Sequence, residues 1–252
     1  MLKLGIIGAG RIGLVHLESI LGLDDAQVIS VADPFMQPDK VELLKGFGVK
    51  NTYKDYKEIL NDSQIDAVLI CSSTDTHSPI SIEAIEAGKH VFCEKPIDHD
   101  IEKIRGVIKA LESNPHIKYQ VGFNRRFDHN FEAVQLAVEH GKIGKPQIIK
   151  ISSRDPEPPP VEYIKSSGGL FLDMMIHDFD MVRFLAGCEP VEVYTQAAVL
   201  VDPAIGEAGD VDTAIVTMKM EDGSLAVIDN SRKDAYGYDQ RAEVFGSKGM
   251  VA

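Results

Sequence analysis

Asp173 and His177 are four residues apart in the segment from Gly168 to Leu185, and their side chains are suited to proton transfer. If the segment is helical, this spacing places both side chains on one face. A carboxylate beside an imidazole suits a reaction in which the histidine accepts a proton and the acid orients it. The alternative is an ordinary helix on which both side chains face solvent or act as caps. General-base chemistry is therefore predicted if another part of the chain supplies a reaction that needs it.

A glycine-rich turn near the N-terminus indicates such a reaction. Residues Leu2 to Ile7 read as a buried strand that leads directly into Gly8-Ala9-Gly10-Arg11-Ile12-Gly13 and then into a helical pattern. In this setting the three glycines of a G-x-G-x-x-G motif allow a tight turn, approach of the backbone to a pyrophosphate and close helix packing. The helix N-terminus adds amide donors for the phosphates. The predicted contacts are Gly8, Gly10, Arg11, Ile12 and Gly13, and the alternative is a glycine-rich turn that binds nothing.

Asp33 ends the second predicted strand, Gln27 to Ala32, and follows Gly13 by twenty residues. An acid at this place accepts hydrogen bonds from the adenosine ribose hydroxyls and repels a 2′-phosphate, which favours NAD over NADP. The alternative is a turn residue before Pro34.

The same sheet edge carries a lysine and several small polar residues. Parallel strands are predicted at Ala67 to Cys71 and His90 to Cys93, and ligands bind at the carboxyl ends of such strands. Lys95 lies there beside a proline of fixed φ, so near a nicotinamide it can hold a substrate hydroxyl; the alternative is an exposed surface lysine. His77 is expected at the surface or as a helix cap, with cofactor contact possible. The predicted cofactor contacts at this edge are Ser72, Ser73, Thr74, His77, Glu94 and Lys95.

Strand and helix patterns divide the chain into two parts. Alternating strands and helices predict an α/β doubly wound parallel sheet of the Rossmann type over residues 1–122. Over residues 123–252, successive strand patterns joined by short turns predict an α+β domain with a mostly antiparallel sheet, including a hairpin turn from Glu221 to Ser224. The strands expected there are Gln147 to Ser152, Val191 to Leu200, Val211 to Met220, Ser224 to Asn230 and Arg241 to Phe245.

Composition narrows the class of protein. A net charge of −13 argues against nucleic acid as a partner. No apolar run is long enough for a membrane span, and the N-terminus does not resemble a signal peptide. The three cysteines have no CxxC or metal-ligand spacing, so we expect a reduced, cytoplasmic protein without a metal site.

Several motifs resemble the glucose–fructose oxidoreductase / inositol dehydrogenase family over essentially the whole chain. The glycine motif, Glu94-Lys95-Pro96 and the run from Gly168 to His177 are general marks of that family. More specific marks of its inositol dehydrogenases are Phe123–Asp128, Ser153–Gly169, Val201–Ala214 and Tyr236–Gly249. The resemblance implies NAD-dependent oxidation of myo-inositol to an inosose, with hydride passing to the nicotinamide.

The resemblance also implies roles for single residues. His177 would be the general base, Asp173 would orient it and touch a neighbouring hydroxyl, and Lys95 would hydrogen-bond the reacting oxygen. The implied polyol contacts are Arg125, Asp155, Asp180 and Tyr236. Other interpretations are that Arg125 pairs with a carboxylate and that Asp155 is a turn residue before Pro156. Asp180 lies two helical turns after Asp173 and so shares roughly the same helical face. Met174 stands where relatives often have threonine.

Family members run well beyond this length and form homo-oligomers, dimers or tetramers, through the sheet of the second domain. The strand beginning at Met250 is expected to be very short, and an open sheet edge exposes unpaired backbone groups, so we expect further chain or association to cover it. Rival hypotheses are a related enzyme for another polyol such as scyllo-inositol, a non-catalytic nicotinamide-binding regulator and an inactive fragment. Retention of Lys95, Asp173 and His177 favours an enzyme.

Overall fold

The computed structural model describes residues 1–252, which form two compact units, residues 1–122 and 123–252. None of the helices has both the length and the apolar character needed to cross a membrane. In the first unit, strands and helices alternate along the chain. They are β1 (Leu2–Ile7), α1 (Arg11–Leu21), β2 (Ala26–Ala32), α2 (Pro38–Gly46), β3 (Asn51–Tyr53), α3 (Lys57–Leu60), β4 (Ala67–Ile70), α4 (Thr74–Glu86), β5 (His90–Cys93), α5 (Ile101–Ser113) and β6 (Tyr119–Val121).

The six strands of the first unit form one parallel sheet in the order β3-β2-β1-β4-β5-β6. Consecutive residues of its strands belong to different hydrophobic clusters, as Ile6 and Ile7 do in β1 and Leu69 and Ile70 do in β4. Side chains alternate between the two faces of a strand, so both faces of this sheet are buried. That explains the nearly continuous apolar strands and confirms the predicted Rossmann sheet.

The second unit begins with a 3₁₀ turn (Asn124–Phe127) and contains a π-helical segment (Leu170–Met175) that runs into an α-helix. Its other elements are α6 (His129–Glu139), β7 (Pro146–Arg154), α7 (Val161–Ser167), α8 (Ile176–Ala186), β8 (Pro190–Ala198), α9 (Pro203–Glu207), β9 (Thr213–Met220), β10 (Leu225–Ser231), β11 (Asp239–Gly246) and β12 (Gly249–Val251). Asp128 caps α6 by accepting hydrogen bonds from the amides of Asn130 and Phe131.

The sheet of the second unit has the order β12-β11-β7-β10-β9-β8 and is antiparallel except for the β7–β10 pair. The predicted hairpin joins β9 to β10, with the Met220 amide donating to the Ser224 carbonyl at 2.9 Å. One face of the sheet packs on α8, where Ile151, Val216, Met181 and Leu185 belong to one core. The mixed, mostly antiparallel sheet confirms the predicted fold class.

Candidate functional site

The glycine motif forms a turn that leaves space for a ligand. Gly8 has φ +99°, and a Cβ atom there would lie 2.6 Å from the Cys71 carbonyl. A Cβ on Gly13 would collide with the carbonyl of Gly8, whereas a Cβ on Gly10 would meet nothing within 4 Å. Since Gly10 offers no side-chain cap to α1, the first amides of that helix have no side-chain acceptor. These features fit a pyrophosphate at this turn.

Asp33 lies beside this turn and is largely buried. Its Oδ2 accepts a hydrogen bond from the Ala9 amide at 2.8 Å, and its Oδ1 accepts one from the Phe35 amide, also at 2.8 Å. The second bond is the turn interaction considered as the alternative. Asp33 also lines a pocket of about 450 Å³, to which Gly8, Gly10, Phe35, Ser73 and Thr76 contribute. The pocket has the apolar walls and few polar groups that suit a nucleoside.

The loops after β4 and β5 hold the remaining residues predicted to contact the cofactor. Ser72 and Thr76 are hydrogen-bonded through their hydroxyls at 2.6 Å, and Thr74 begins α4. Glu94 Oε1 is 2.6 Å from Nε2 of His16 on α1, and the Lys95–Pro96 peptide bond is cis. His77 is buried, with 2% of its surface exposed, and the expected surface position is therefore wrong. Its burial follows from its place in the first turn of α4, where both ring nitrogens contact backbone carbonyls.

In the second unit, Asp173 and His177 lie on successive parts of one helical run. Asp173 is in the π-helical segment and His177 is in the first turn of α8, so the segment is helical as assumed but is not one regular α-helix. Two glycines with positive φ, Gly168 and Gly169, precede the run. Asp210 then accepts a hydrogen bond from the Leu170 amide at 3.0 Å, which anchors the start of the π-helical segment.

Asp173 and Asp155 converge on one buried guanidinium, that of Arg232. Arg232 Nη1 lies 3.1 Å from Asp173 Oδ2 and 3.7 Å from Asp155 Oδ2, and Tyr163 donates its hydroxyl to Asp173 Oδ1 at 3.0 Å. Burial raises the pKa of the Asp155 carboxyl; Arg232 opposes this shift and Asp173 adds to it. The Phe123 ring stands edge-on to the imidazole of His177, with centroids 6.3 Å apart.

The other predicted polyol contacts have protein partners. Arg125 pairs with Asp178 and donates to Ser153 Oγ at 3.1 Å, which is the carboxylate pairing considered as the alternative. Asp180 receives two hydrogen bonds from Arg126, at 2.6 and 2.8 Å. Tyr236 is 73% exposed and donates to Asp239 at 3.0 Å. The structure thus brings Asp155 and Asp173 together, places the Arg125–Asp178 pair close enough to Asp155 to influence its pKa, and gives Asp180 and Tyr236 partners elsewhere.

Sequence reasoning missed Arg232, which follows β10 directly. Its backbone amide donates to the Asp212 carbonyl at 2.8 Å, and the amide of Asp155 donates to the Ser231 carbonyl at 3.1 Å. These two backbone bonds hold Arg232 and Asp155 side by side. The only signal in the sequence is a basic residue at the end of a predicted strand, which is common on protein surfaces.

A dinucleotide turn with an aspartate at the second strand end, together with an aspartate and a histidine on one helical run, defines a nicotinamide-dependent oxidoreductase. Comparison with known families agrees: residues 2–123 match the oxidoreductase family with an NAD-binding Rossmann fold, and residues 131–252 match the GFO/IDH/MocA C-terminal domain. The chain belongs to the GFO/IDH/MocA family of oxidoreductases.

Individual relatives are similar over nearly the whole chain. Myo-inositol 2-dehydrogenase of Thermotoga maritima is 50% identical, and inositol 2-dehydrogenase of Rhizobium meliloti is 51% identical. Each alignment covers 99% of this chain and 74% of the relative. The crystal structure of scyllo-inositol dehydrogenase from Lactobacillus casei with bound NAD(H) and scyllo-inositol superposes with a TM-score of 0.91 at 34% identity, covering 100% of this chain and 75% of that one.

Proposed function

We propose that the protein catalyses the NAD-dependent oxidation of myo-inositol at C2, giving 2-keto-myo-inositol. The observation that carries the proposal is the position of Asp173, four residues before His177, where hydrogen bonds from Tyr163 and Arg232 hold its carboxylate in place. The chain is 50% identical to myo-inositol 2-dehydrogenase of Thermotoga maritima over 251 residues, and this similarity supports myo-inositol as the substrate. Residues 1–122 are assigned to cofactor binding and residues 123–252 to substrate binding and assembly.

In this proposal His177 is the general base that removes the proton of the hydroxyl group. Asp173 orients the imidazole and contacts a neighbouring hydroxyl, while its own position is fixed by Arg232. Lys95 donates a hydrogen bond to the reacting oxygen and stabilises the negative charge that develops there. NAD, when bound, accepts the hydride from the carbon atom.

A polyol requires several directed hydrogen bonds, and we assign these to Asp155, Arg125, Asp180 and Tyr236. Asp155 has the strongest support because it shares Arg232 with Asp173. Arg125 and Asp180 already form ion pairs, so they would contact substrate only with their remaining hydrogen-bonding capacity. Tyr236 is exposed and can reorient.

The cofactor is assigned to the glycine turn and the pocket beside Asp33. Each carboxylate oxygen of Asp33 accepts one amide and retains capacity for a ribose hydroxyl. Lys40 lies close by and donates to the Ala9 carbonyl at 2.8 Å. Asp33→Ala should therefore weaken NAD binding and relax discrimination against NADP, because a cation remains near the turn. An unchanged ratio of kcat/KM values for the two cofactors would contradict the ribose role.

The experiment that tests the substrate is the initial rate of NADH formation with myo-inositol, scyllo-inositol and glucose in parallel. We expect kcat/KM for myo-inositol to exceed that for glucose by at least tenfold, since the site would leave polar groups unpaired with the wrong polyol. A preference for scyllo-inositol would mean that the proposed substrate is wrong and that the proposed class of reaction is right. NAD binding without turnover of any polyol would favour the non-catalytic regulator.

Assembly as a homo-oligomer, a dimer or tetramer, is proposed through the open face of the second sheet. Several of its outward side chains are large and apolar, and most of these are about half exposed. They are Ile148, Tyr194, Ile215, Leu225 and Phe245. A patch of this kind on one face marks an interface more often than a free surface. The free thiols of Cys71, Cys93 and Cys188 support a reducing, cytoplasmic location.

A further inference from the structure

His77 has an unusual set of hydrogen-bond partners for a buried histidine. Its Nδ1 lies 2.8 Å from the Pro96 carbonyl oxygen, and its Nε2 lies 3.0 Å from the Ser72 carbonyl oxygen. The residue is 2% exposed, so solvent has little access to either nitrogen. Both partners are backbone carbonyls, which accept hydrogen bonds and cannot donate them.

The two protonation states of the ring differ in how they satisfy these two contacts. A neutral imidazole has one N–H group, so one of the two contacts would set a nitrogen lone pair against a carbonyl lone pair. In the imidazolium form both nitrogens donate, and both contacts become charge-assisted hydrogen bonds. A buried cation without such partners is costly, whereas two directed carbonyl dipoles offset part of its desolvation.

The two carbonyls belong to the loops that follow neighbouring parallel strands, β4 and β5. Pro96 directly follows Lys95, and the adjacent residue of α4 strengthens the same attachment, because Ser78 Oγ donates to Asp98 Oδ2 at 2.5 Å. On the other side of Lys95, Glu94 is held by His16 from α1 at 2.6 Å. Both neighbours of Lys95 in the chain are therefore held by side chains from two helices, Pro96 at its carbonyl and Glu94 at its carboxylate.

We propose that His77 is a positioning residue that acts as an imidazolium bridge between the Ser72 and Pro96 carbonyls and so fixes the direction of Lys95. The proposal rests on the proposed function in one respect, the role of Lys95 at the reacting oxygen. It explains why a histidine occupies a buried place in α4 where an apolar residue would pack. His77 itself has no contact with the reacting atoms in this account.

The first test observes the protonation state directly and does not depend on turnover. The protein is labelled with ¹⁵N-histidine, and its imidazole ¹⁵N spectrum is recorded at neutral pH, with the His77→Gln variant used to assign the His77 signals among the eight histidines. We expect both His77 nitrogens to resonate in the range of protonated imidazole nitrogens. One nitrogen in the unprotonated range would overturn the imidazolium bridge.

The second test asks whether His77 acts through Lys95. His77→Phe keeps a ring of similar size but removes both donors, and we expect kcat to fall by roughly tenfold to a hundredfold in the folded variant. His77→Gln should recover part of this loss, because its amide nitrogen can donate to a carbonyl. The matched control is His90→Phe in β5, where His90 accepts from the Lys118 amide at 3.0 Å, and its kcat should stay close to the wild-type value.

The double variant separates a positioning role from a general structural one. If His77 acts through Lys95, then adding His77→Phe to Lys95→Met should lower kcat much less than His77→Phe does alone. Independent, additive losses would overturn the positioning role. If His77→Phe does not fold, His77→Gln in the same cycle decides the question. An unchanged kcat in Lys95→Met would instead contradict the proposed function, while the ¹⁵N result would still decide the bridge.

Discussion

In the second unit, the guanidinium of Arg232 holds the carboxylates of Asp155 and Asp173 close together. Arg232 is 2% exposed and faces the carboxylates of Asp155 and Asp173, so two partly buried negative charges share one buried positive charge. Removal of one member of such a group leaves uncompensated charge in a poorly solvated place. Arg232 therefore holds the Asp173 carboxylate in place by a direct ion pair.

Arg232→Met tests this dependence on stability. We expect the free energy of unfolding to fall by about 3 kcal/mol, because the two carboxylates lose their common partner. Urea denaturation of the wild type and the variant measures the difference. Adding Asp155→Asn to Arg232→Met should restore part of the loss, since one of the repelling charges is removed. If Arg232→Met had the same free energy of unfolding as the wild type, the result would contradict the charge-sharing account.

His177→Gln tests the general base. The amide keeps much of the side-chain size but cannot accept the proton, so kcat should fall by about a hundredfold or more while NAD affinity is retained. Single-turnover absorbance of NADH and a fluorescence titration with NAD give the two quantities. His129→Gln, at the exposed start of α6, is the control and should leave kcat unchanged. A His177→Gln variant with wild-type kcat would remove His177 from the mechanism.

At the residue scale, the sequence predicted the residues with the plainest patterns. The glycine turn and Asp33 could be placed because their spacing has a backbone cause, and the four-residue step from Asp173 to His177 has a helical one. Arg232 and the partners of His77 could not be found, because these contacts join segments far apart in the chain. Burial of a polar side chain depends on such contacts and leaves no local pattern.

At the scale of elements, the loop between β8 and β9 depends on one buried carboxylate. Asp212 accepts hydrogen bonds from three consecutive amides, those of Leu200, Val201 and Asp202, at 2.8 to 3.0 Å. Burial opposes ionisation of this carboxyl, but the amides and the Thr213 hydroxyl outweigh it and lower the pKa of Asp212. The Asp212 carbonyl also accepts the amide of Arg232, so the loop and the acid cluster share an anchor.

Asp212→Asn should therefore destabilise the protein in a way that depends on pH. The folded-state pKa lies below the unfolded value of about 3.9, so the stabilisation is present above that pH and is lost as pH falls through the folded-state pKa. We expect a loss of about 2 kcal/mol at neutral pH and a smaller one in acid, measured by urea denaturation. Asp202→Asn, which retains a cap on α9, should change stability little. A pH-independent difference would contradict the ionic role of Asp212.

The fold class was predictable from the strand patterns, but several features of the elements were not. In the first unit, apolar runs between glycines indicated each long strand, because both sheet faces are buried. In the second unit the parallel β7–β10 pair was missed, because alternation shows which face is buried and not which strands pair. The π-helical segment was also missed, since its start depends on Asp210, which lies 40 residues away.

At the scale of the whole molecule, the outer face of the second sheet determines the expected assembly. Leu225 pairs with Ile148, and Ile148 pairs with Phe245, so these three apolar side chains form one row across β10, β7 and β11. Burying such a patch against a second copy removes apolar area from water. The edge strand β8 and its neighbour β9 add Tyr194 and Ile215 to the same outward face.

Ile215→Lys combined with Leu225→Lys should dissociate the oligomer, because two cations would be buried at the contact. Light scattering coupled to gel filtration should show a dimer or tetramer for the wild type and a monomer for the variant. Circular dichroism serves as the control, since both positions face outward and the fold should be retained. A wild-type chain that is monomeric at high concentration would contradict assembly through this face.

Transfer of deuterium from myo-inositol labelled at C2 tests the central claim most directly. The enzyme is incubated with NAD and the labelled polyol, and the NADH formed is analysed by mass spectrometry. The proposed reaction predicts NADH that carries one deuterium at the nicotinamide ring, together with the 2-keto product and a reduced rate for the labelled substrate. Unlabelled NADH, or no NADH at all, would contradict oxidation of myo-inositol at C2.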